Sequence, residues 1–429
     1  MRNYLAKRRM TGVLAASVLA ATGLMAGSAS AKTLTAKGAP SVITVGTLYA
    51  STGAFATSSL PQYAGLQFWA KEVNRAGGVY VKAYKKKIKV SIVALNDESN
   101  PATATTLYNQ LLTQDNVNVL VSDFGSVLTA PAITLAKNQN KLVFDVSGTG
   151  TSFFDNGADP NVILTSLPVS SIWPKPLTSL LLQLKTKRVA ILYCQNDFDG
   201  AQAQAIQGFL TKGGVTPVYF QGVPTSQTDY STLLQSIKAT NPDAVLELGY
   251  PNNDIAFLNE LASTGTHFKF ALTIFPGQLP ALFVKDVGVK ALAYTFTYAE
   301  PPTVAYNKVN IGLGTTAFQR AFAPADPSSV NFLNVAGYNA GLAVQAALQN
   351  ATSLSPAGLH AGITAVSGKL QTLEGNFRIN NAGAQVGELL PMGQIHPAGN
   401  RIAVKIIKPA IAAEIPMVNA KTLYPAPKG

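Results

Sequence analysis

The sequence predicts an α/β fold in which two parallel-sheet units follow one another along the chain. In the run Lys187–Gly265, short apolar strands alternate with helical segments, the spacing typical of successive βαβ units. A similar alternation occurs between Ser41 and Val146, and polar loops follow strands in both runs. Parallel sheets bind ligands just beyond the carboxyl ends of their strands. These loops are therefore the candidate binding regions.

The first unit begins with the strand Ser41–Leu48, from which a serine- and glycine-containing turn leads to a helix near Leu60–Arg75. Apolar residues recur at helical spacing in that helix, and Gly77-Gly78 ends it. Further elements are the strand Lys89–Leu95, a helix starting at Pro101, the strands Val117–Val121 and Leu142–Val146, and the loops Ser122–Ser126 and Ser147–Thr151 after them.

The second unit starts near Thr165 and includes the run Lys187–Gly265. Its predicted strands are Arg188–Tyr193, Val215–Phe220 and Ala244–Tyr250, and its predicted helices are Ala201–Gly214, Thr228–Asp243 and Asn252–Gly265. The segment CQNDFDG is predicted to be a polar turn. Gln195–Asp199 and Gly249–Asn253 offer hydrogen-bonding groups and aromatic faces, but no nucleophile beside a base. This composition favours binding over catalysis.

Beyond Tyr298 the alternation stops. The later segments are a crossover at Pro301-Pro302, an alanine-rich helix over Asn331–Asn350, an extended crossover over Leu373–Asn380, and strands over Gly387–Pro397 and Arg401–Ile407. Residues 408–429 contain several prolines and are predicted to form a tail on the surface.

Residues 1–31 have the features of a secretory signal peptide. A basic head precedes the uncharged apolar stretch Thr11–Gly27, and Ala29-Ser30-Ala31 matches the small-residue cleavage pattern. The apolar stretch is shorter than the roughly 20 residues of a membrane span. No cysteine follows it for lipid attachment, so the sequence predicts an unanchored protein in the periplasm.

The formal charge of +12 does not indicate nucleic-acid binding. Four of the basic residues belong to the predicted signal, and the dense cluster Lys82–Lys89 is expected to be a solvated turn. The single cysteine, Cys194, excludes an internal disulfide and is expected to be buried and unreactive. The three histidines lack the spacing of a metal site, and no cofactor motif occurs, so neither a metal nor a cofactor is expected.

Six ordered segments carry a resemblance to a known family. They are ITVGTLYASTGAF, NDESNPATA, VLVSDFGSVLTAPA, LVFDVSGTGTS, RVAILYCQNDFDG and DYSTLLQSIKATNPDAVLELGY. In order and spacing they resemble the periplasmic solute-binding proteins of the branched-chain amino acid (Leu/Ile/Val) type of ABC transporter. The resemblance covers essentially Ile43 to Ile407.

This resemblance implies a type I periplasmic binding protein: two Rossmann-like lobes joined by three hinge crossovers, near Leu164, Tyr298 and Leu373. Lobe 1 would comprise residues 41–164 and 300–372, and lobe 2 residues 165–299 and 373–407. The resemblance also implies a monomer that delivers a small ligand to a membrane permease.

Residue by residue, Ser126 and Thr149 match family positions that resemble hydroxyl and backbone anchors for a ligand carboxylate. Ser147 and Gly148 would bring the backbone close to the ligand, and Ser51 and Ser58 would add polar contacts. A helix that starts in such a loop directs free N–H groups and its dipole at an anion. The alternative is that Ser126 and Thr149 only cap helices.

Phe198 and Tyr250 match the aromatic positions of the second lobe, and Trp173 is a weaker candidate for flanking the cleft. The alternative for Phe198 and Tyr250 is packing against neighbouring loops. For Trp173 the preferred interpretation is a surface or packing residue.

One segment departs from the family pattern. Amino-acid binders resemble one another in placing an acidic residue after the strand Lys269–Leu272, where it pairs with the ligand ammonium, but here Thr273–Gln278 contains no carboxylate. An unpaired buried ammonium is costly. Glu247, inside an apolar strand, is expected to pair with a basic residue of its lobe; the other hypothesis is that it faces the cleft and supplies the missing charge.

We therefore expect an exported binding protein that captures a small polar, carboxylate or aromatic solute between two lobes by hinge closure. An amino acid stays an alternative ligand. The alternative is a ligand-sensing protein of the same fold. An enzyme is not expected, since no G-x-S-x-G, P-loop or H-E-x-x-H motif is present.

Overall fold

The computed structural model describes residues 38–155, 157, 159–388 and 390–408. The predicted signal peptide and the tail from residue 409 onward lie outside the described residues. The strands are β1 (Val42–Tyr49), β2 (Val79–Val81), β3 (Lys86–Asn96), β4 (Val119–Val121), β5 (Val143–Asp145), β6 (Val162–Leu164), β7 (Val189–Cys194), β8 (Tyr219–Val223), β9 (Ala244–Leu248), β10 (Phe270–Leu272), β11 (Phe296–Tyr298), β12 (Leu370–Thr372), β13 (Gly375–Phe377), β14 (Met392–Ala398) and β15 (Arg401–Lys408).

The α-helices are α1 (Ala56–Arg75), α2 (Pro101–Thr113), α3 (Gly125–Gln139), α4 (Pro174–Gln183), α5 (Asp197–Lys212), α6 (Ser231–Ala239), α7 (Pro251–Ser263), α8 (Pro280–Asp286), α9 (Val289–Leu292), α10 (Thr315–Phe322), α11 (Phe332–Asn350) and α12 (Pro356–Thr364). Short 3-10 helices lie at Lys82–Tyr84, Thr151–Phe154 and Pro327–Ser329. Within the described residues, no helix combines the length and apolarity needed to span a bilayer.

The first sheet has the strand order β2-β3-β1-β4-β5-β6. All neighbours pair in parallel except β2, which forms an antiparallel hairpin with β3. Lys85 takes a left-handed conformation in this hairpin, and the neighbouring lysines are exposed. The predicted solvated turn is therefore confirmed, although the sequence analysis did not identify β2.

The second sheet has the order β15-β14-β11-β10-β9-β7-β8. Strands β11, β10, β9, β7 and β8 are parallel, and β14 and β15 extend the sheet as an antiparallel edge. Apart from the partly exposed Tyr193, its central strands β7, β9 and β10 are buried throughout, as expected for parallel strands with helices on both faces. The predicted α/β fold with two parallel-sheet lobes is confirmed.

The chain passes between the two sheets three times. β6 ends at Leu164 before the chain enters the second sheet, and β11 ends at Tyr298 before the chain returns to pack α11 on α1. Leu373 lies in the tight hairpin between β12 and β13, after which the chain reaches β14. The lobe boundaries taken from the resemblance stay predictions.

Helices α1 and α11 pack with their backbones almost in contact. A Cβ added to Gly337 would lie 1.8 Å from the carbonyl oxygen of Gln62, and one added to Gly65 would lie 2.1 Å from that of Asn334. Because the obstructing atoms are backbone, they cannot rotate away. These two glycines therefore set the distance between the helices in lobe 1.

Several element boundaries differ from the prediction; β8, for example, covers Tyr219–Val223 instead of Val215–Phe220. α1 begins at Ala56, before the predicted Leu60. The segment predicted as a polar turn, CQNDFDG, is partly helical, because the Asn196 side chain accepts a hydrogen bond from the Asp199 N–H (2.9 Å) and starts α5 at Asp197. Cys194 is buried, and burial raises the pKa of its thiol well above the usual range, as expected for an unreactive cysteine.

Candidate functional site

A small cavity lies between the lobes, beyond the carboxyl ends of strands from both sheets. Its lining residues are Phe124, Gly125, Ser147, Leu167, Trp173, Phe198, Tyr250, Phe275 and Phe332, none of which carries a charge. The cavity volume is about 10 Å³, room for roughly one water molecule. A larger solute therefore enters only if the aromatic rings of the two lobes move apart.

The wall contributed by lobe 1 is the start of α3. Gly125 has a φ of +70°, which favours glycine, and a Cβ added there would lie 3.1 Å from the Tyr250 hydroxyl oxygen. The Gly125 N–H donates to the Ser147 Oγ (3.1 Å), and that hydroxyl donates to Gln62 Oε1 (2.7 Å). These bonds fix the first turn of α3 against the loop after β5.

The amides of Ser126 and Val127 follow Gly125 and lie next to the Tyr250 hydroxyl. The first turn of α3 holds no acidic residue. Unpaired amides at a helix start, together with the helix dipole, stabilise a negative charge placed there. This end of the cavity is therefore suited to an anionic group such as a carboxylate.

The wall contributed by lobe 2 is a cluster of aromatic rings. Tyr250 lies at the N-cap of α7, where its N–H donates to Asn253 Oδ1 (3.1 Å). Its ring centroid lies 5.5 Å from that of Phe198 and 6.5 Å from that of Phe275. Trp173 completes the cluster at 5.1 Å from Phe198, edge to face. These rings give the cavity an apolar lining that suits a flat or apolar ligand.

Tyr250 also bridges the two lobes. Its ring contacts Phe55 (5.1 Å) and Phe124 (5.9 Å), both on lobe 1, in edge-to-face geometry. Burial, followed by the nearby Asp199, raises the pKa of Tyr250 well above its ordinary range, although the amides of Val127 and Ser126 act in the opposite direction. The hydroxyl is therefore neutral, and it forms no hydrogen bond of good geometry within the described residues.

Three carboxyl groups lie buried in lobe 2 near the carboxyl end of its central strands: Asp199, Glu247 and Asp254. Burial is the largest cause of the raised pKa of each one, and the neighbouring Glu247 further raises those of Asp199 and Asp254. The Phe275 N–H donates to Asp254 (2.7 Å), and the Tyr230 hydroxyl donates to Glu247 (3.3 Å).

The prediction that Glu247 pairs with a basic residue is wrong. Its partners are the Tyr230 hydroxyl and the carboxyl of Asp254, and no lysine or arginine forms an ion pair with it in the described part of the chain. Glu247 is not among the residues that line the cavity either. Proton sharing with Asp254 makes a basic partner unnecessary.

Lobe 1 contains a similar group of buried acids, Asp97, Asp123 and Asp145, at the ends of β3, β4 and β5. Burial raises the pKa of Asp145 to about 7, against bonds from the Gly148 N–H (2.7 Å) and the Ser122 hydroxyl (3.2 Å). Burial likewise raises the pKa values of Asp97 and Asp123. Asp145 therefore joins the loop after β4 to the loop after β5.

The structure brings three of the predicted residues to the cavity: Ser147, Phe198 and Tyr250. Trp173, for which a surface or packing position was preferred, is buried and lines the cavity as well. The ligand roles of all four remain predictions.

The other predicted residues lie around the cavity and hold the loops. Ser126 Oγ accepts the Gly150 N–H (2.9 Å), and Thr149 Oγ1 bonds to the Ser170 hydroxyl (2.9 Å). Neither is a helix cap, because Phe124 precedes α3 and Gly150 precedes the next short helix. The capping alternative is therefore wrong.

The backbone of Gly148 donates to Asp145, and Ser51 bonds to Asn96 at an exposed position. Ser58 is buried on α1 and does not line the cavity. Their ligand contacts stay untested predictions.

Sequence reasoning missed Phe124, Phe275 and Phe332 as cavity residues. Phe124 and Phe275 follow β4 and β10 closely, so an aromatic residue just after a parallel strand was an available signal. Phe332 gave no such signal, because only the return of α11 to the cleft brings it near the other rings; its centroid lies 6.1 Å from that of Phe275.

Known proteins share this fold. A leucine binding protein from Thermotoga maritima superposes with a TM-score of 0.72 at 15% identity, over 86% of this chain and 99% of that one. A Rhodopseudomonas palustris solute binding protein, solved in complex with benzoate, superposes with a TM-score of 0.68 at 16% identity, over 87% and 100% of the two chains. A type 1 periplasmic binding protein from Bordetella pertussis gives 0.71 at 17% identity, over 85% and 100%.

Among curated proteins, the Leu/Ile/Val-binding protein of Escherichia coli is 25% identical over 228 residues, 53% of this chain. The match spans 60% of the length of that relative. A family model for periplasmic binding proteins matches residues 42–400. A binding family agrees with the expectation of binding over catalysis, and the chain belongs to the periplasmic binding protein family.

Proposed function

We propose that this protein is the exported solute-binding component of an ABC transporter and that its ligand is a small aromatic carboxylate. The observation that carries the proposal is the composition of the cleft. The amides of Ser126 and Val127 at the start of α3 lie beside a cluster of aromatic rings, and no charged side chain lines the cavity. The carboxylate would bind the amides of Ser126 and Val127, and the ring would pack among the aromatic side chains.

The loop Thr273–Gln278 supports a ligand without an ammonium group. Its residues from Thr273 to Leu279 are buried and include no acidic side chain, and Phe275 directs an aromatic ring at the cavity. A protonated amine in this lining would lose its hydration without gaining a partner. The buried acids of lobe 2 do not replace that partner, since none of them lines the cavity.

Binding would proceed by closure of the lobes. A ligand that first binds the α3 amides on lobe 1 gains the contacts to Phe198, Tyr250 and Phe275 only when lobe 2 closes. Because only the closed state makes both sets of contacts, ligand shifts the population toward it. The closed protein, a monomer in the periplasm, would then present its ligand to a membrane permease.

The test is calorimetry on the chain lacking residues 1–31, with benzoate, benzamide, acetate and leucine. We expect benzoate to bind, and benzamide to bind at least about tenfold more weakly because it lacks the charge that the α3 amides stabilise. Acetate keeps the charge but lacks the ring, so it should also bind weakly. Leucine binding more tightly than benzoate would show that an ammonium partner exists and would refute the proposed ligand class.

A further inference from the structure

A carboxylate of lobe 2 reaches across the mouth of the cleft to lobe 1. Asp197 is the first residue of α5, and its Oδ2 accepts hydrogen bonds from both the Ser152 hydroxyl (2.6 Å) and the Ser152 N–H (3.1 Å). Ser152 belongs to the loop after β5 on the opposite lobe. Hydrogen bonds to an ionised acceptor are stronger than neutral ones.

Gly150 makes this approach possible. A Cβ added to Gly150 would lie 2.2 Å from Asp197 Oδ2 and 3.2 Å from Asp197 Cβ. Its own φ of −51° is one that alanine adopts freely, so glycine is needed at this position only because the other lobe comes so close. The Gly150 N–H also donates to Ser126 Oγ (2.9 Å), which ties the loop to the start of α3.

A second bond between the lobes lies beside Tyr250. The Asn252 Nδ2 donates to the carbonyl oxygen of Ala54 on lobe 1 at 3.1 Å. Both contacts lie at exposed positions, but this one joins a neutral amide to a backbone oxygen, so we expect it to contribute less than the charged contact. The charged contact is therefore the stronger polar link across the mouth.

We propose that Asp197, Ser152 and Gly150 form a closure latch that sets the population of the closed state and thereby the affinity for the ligand. This proposal deepens the proposed function and rests on it for the link to affinity. The three residues act on ligand through the lobe equilibrium and do not line the cavity. Since the bonds to Asp197 exist only when the lobes meet, their whole free energy favours closure.

Closure is measured by the distance between spin labels at Thr57→Cys and Ala281→Cys. These positions are exposed, lie on opposite lobes and line the same groove at the cleft mouth, while Cys194 is buried. The measurement is made in buffer and with benzoate on the otherwise unchanged protein and on the variants Gly150→Ala, Asp197→Ala and Gly150→Ala with Asp197→Ala. The matched control is Gly208→Ala, on the same helix as Asp197 and with no atom within 4 Å of the added Cβ.

We expect a short-distance population in the unchanged protein and in Gly208→Ala. Gly150→Ala should lose the short-distance population, because the added methyl group would meet the Asp197 carboxylate. Asp197→Ala should reduce the closed-to-open ratio by about three- to tenfold through loss of two charge-assisted bonds that are exposed to solvent. The double variant should recover the Asp197→Ala level, because the obstructing carboxylate is gone and the remaining Cβ atoms need to move only slightly.

Recovery separates the latch from a folding defect, since a misfolded Gly150→Ala protein would not be restored by a change on the other lobe. The latch is refuted if Gly150→Ala keeps the short distance, if the double variant stays open, or if the unchanged protein shows no short-distance population in either condition. Failure of benzoate to bind, with the variant order retained in buffer, refutes the proposed ligand and leaves the latch supported.

Discussion

Replacement of Tyr250 by alanine is expected to weaken ligand binding by destabilising the closed arrangement. The ring contacts Phe55 and Phe124 of the opposite lobe, at 5.1 and 5.9 Å between centroids. Each such pair contributes about 0.5–1.5 kcal/mol, so the loss of two lowers the stability of the closed state by about 1–3 kcal/mol. This corresponds to an affinity for benzoate that is about 5- to 150-fold lower.

Tyr250→Phe is the matched control, because it keeps both ring contacts and removes a hydroxyl that forms no good hydrogen bond in the described structure. Its affinity should stay within about threefold of the original protein, as the hydroxyl leaves no partner unsatisfied. Calorimetry with benzoate measures both, and urea unfolding checks that each variant is folded. Equal losses in the two variants would show that the hydroxyl, not the ring, matters, and unchanged binding in Tyr250→Ala would refute the argument.

Two further predictions concern stability. Gly337→Ala should lower the free energy of unfolding by about 1–3 kcal/mol, because the added methyl group meets the Gln62 backbone. Urea unfolding measures the change, with Gly208→Ala as the control, since no atom lies within 4 Å of the Cβ added there. An unchanged midpoint in Gly337→Ala would contradict the packing argument. Stability should also fall as pH rises from 5 to 8. Burial raises the pKa of Glu374 to about 8 and that of Asp145 to about 7. Between the ordinary carboxyl pKa and these raised values, the folded protein keeps protons that the unfolded chain has released. Each group therefore contributes stability that is present at low pH and lost as pH rises through this range. Where one such group is protonated in the folded protein but not in the unfolded chain, the free energy of unfolding falls by about 1.4 kcal/mol per pH unit. A urea midpoint that rises from pH 5 to pH 8 would contradict this prediction.

Local pattern was sufficient to predict much of the fold. The alternation between Lys187 and Gly265 predicted the βαβ series because buried parallel strands are short apolar runs and the helices between them carry a 3.6-residue period. The three-residue β2 escaped the analysis, since three residues next to a lysine-rich turn give no usable period. The start of α5 was misplaced because Asn196 caps the helix inside a segment whose polarity indicated a turn.

The site was harder to predict than the fold because its members come together through long-range closure. Tyr250 and Phe198 lie in polar segments that follow strands of one sheet, and the family resemblance singled out these two residues within the segments. The sequence analysis named Asp197 only as part of a polar segment, and no feature of the neighbouring sequence predicts its contact with Ser152. Glu247 was assigned a basic partner because burial of a charge demands one, but a neighbouring carboxyl satisfied the same demand by sharing a proton.

The acid clusters bear on the proposed anionic ligand, because carboxyl groups lie behind the cleft. Six buried acids lie in or just after strands near the carboxyl ends of the two sheets: Asp97, Asp123, Asp145, Asp199, Glu247 and Asp254. If all were ionised, their field would repel a carboxylate at the α3 amides. Burial raises the pKa of every one, and none forms an ion pair within the described residues, so their charged forms are disfavoured. With their charges disfavoured, the helix dipole at the start of α3 favours an anion in the cleft. Anion binding should weaken as rising pH ionises groups such as Asp145.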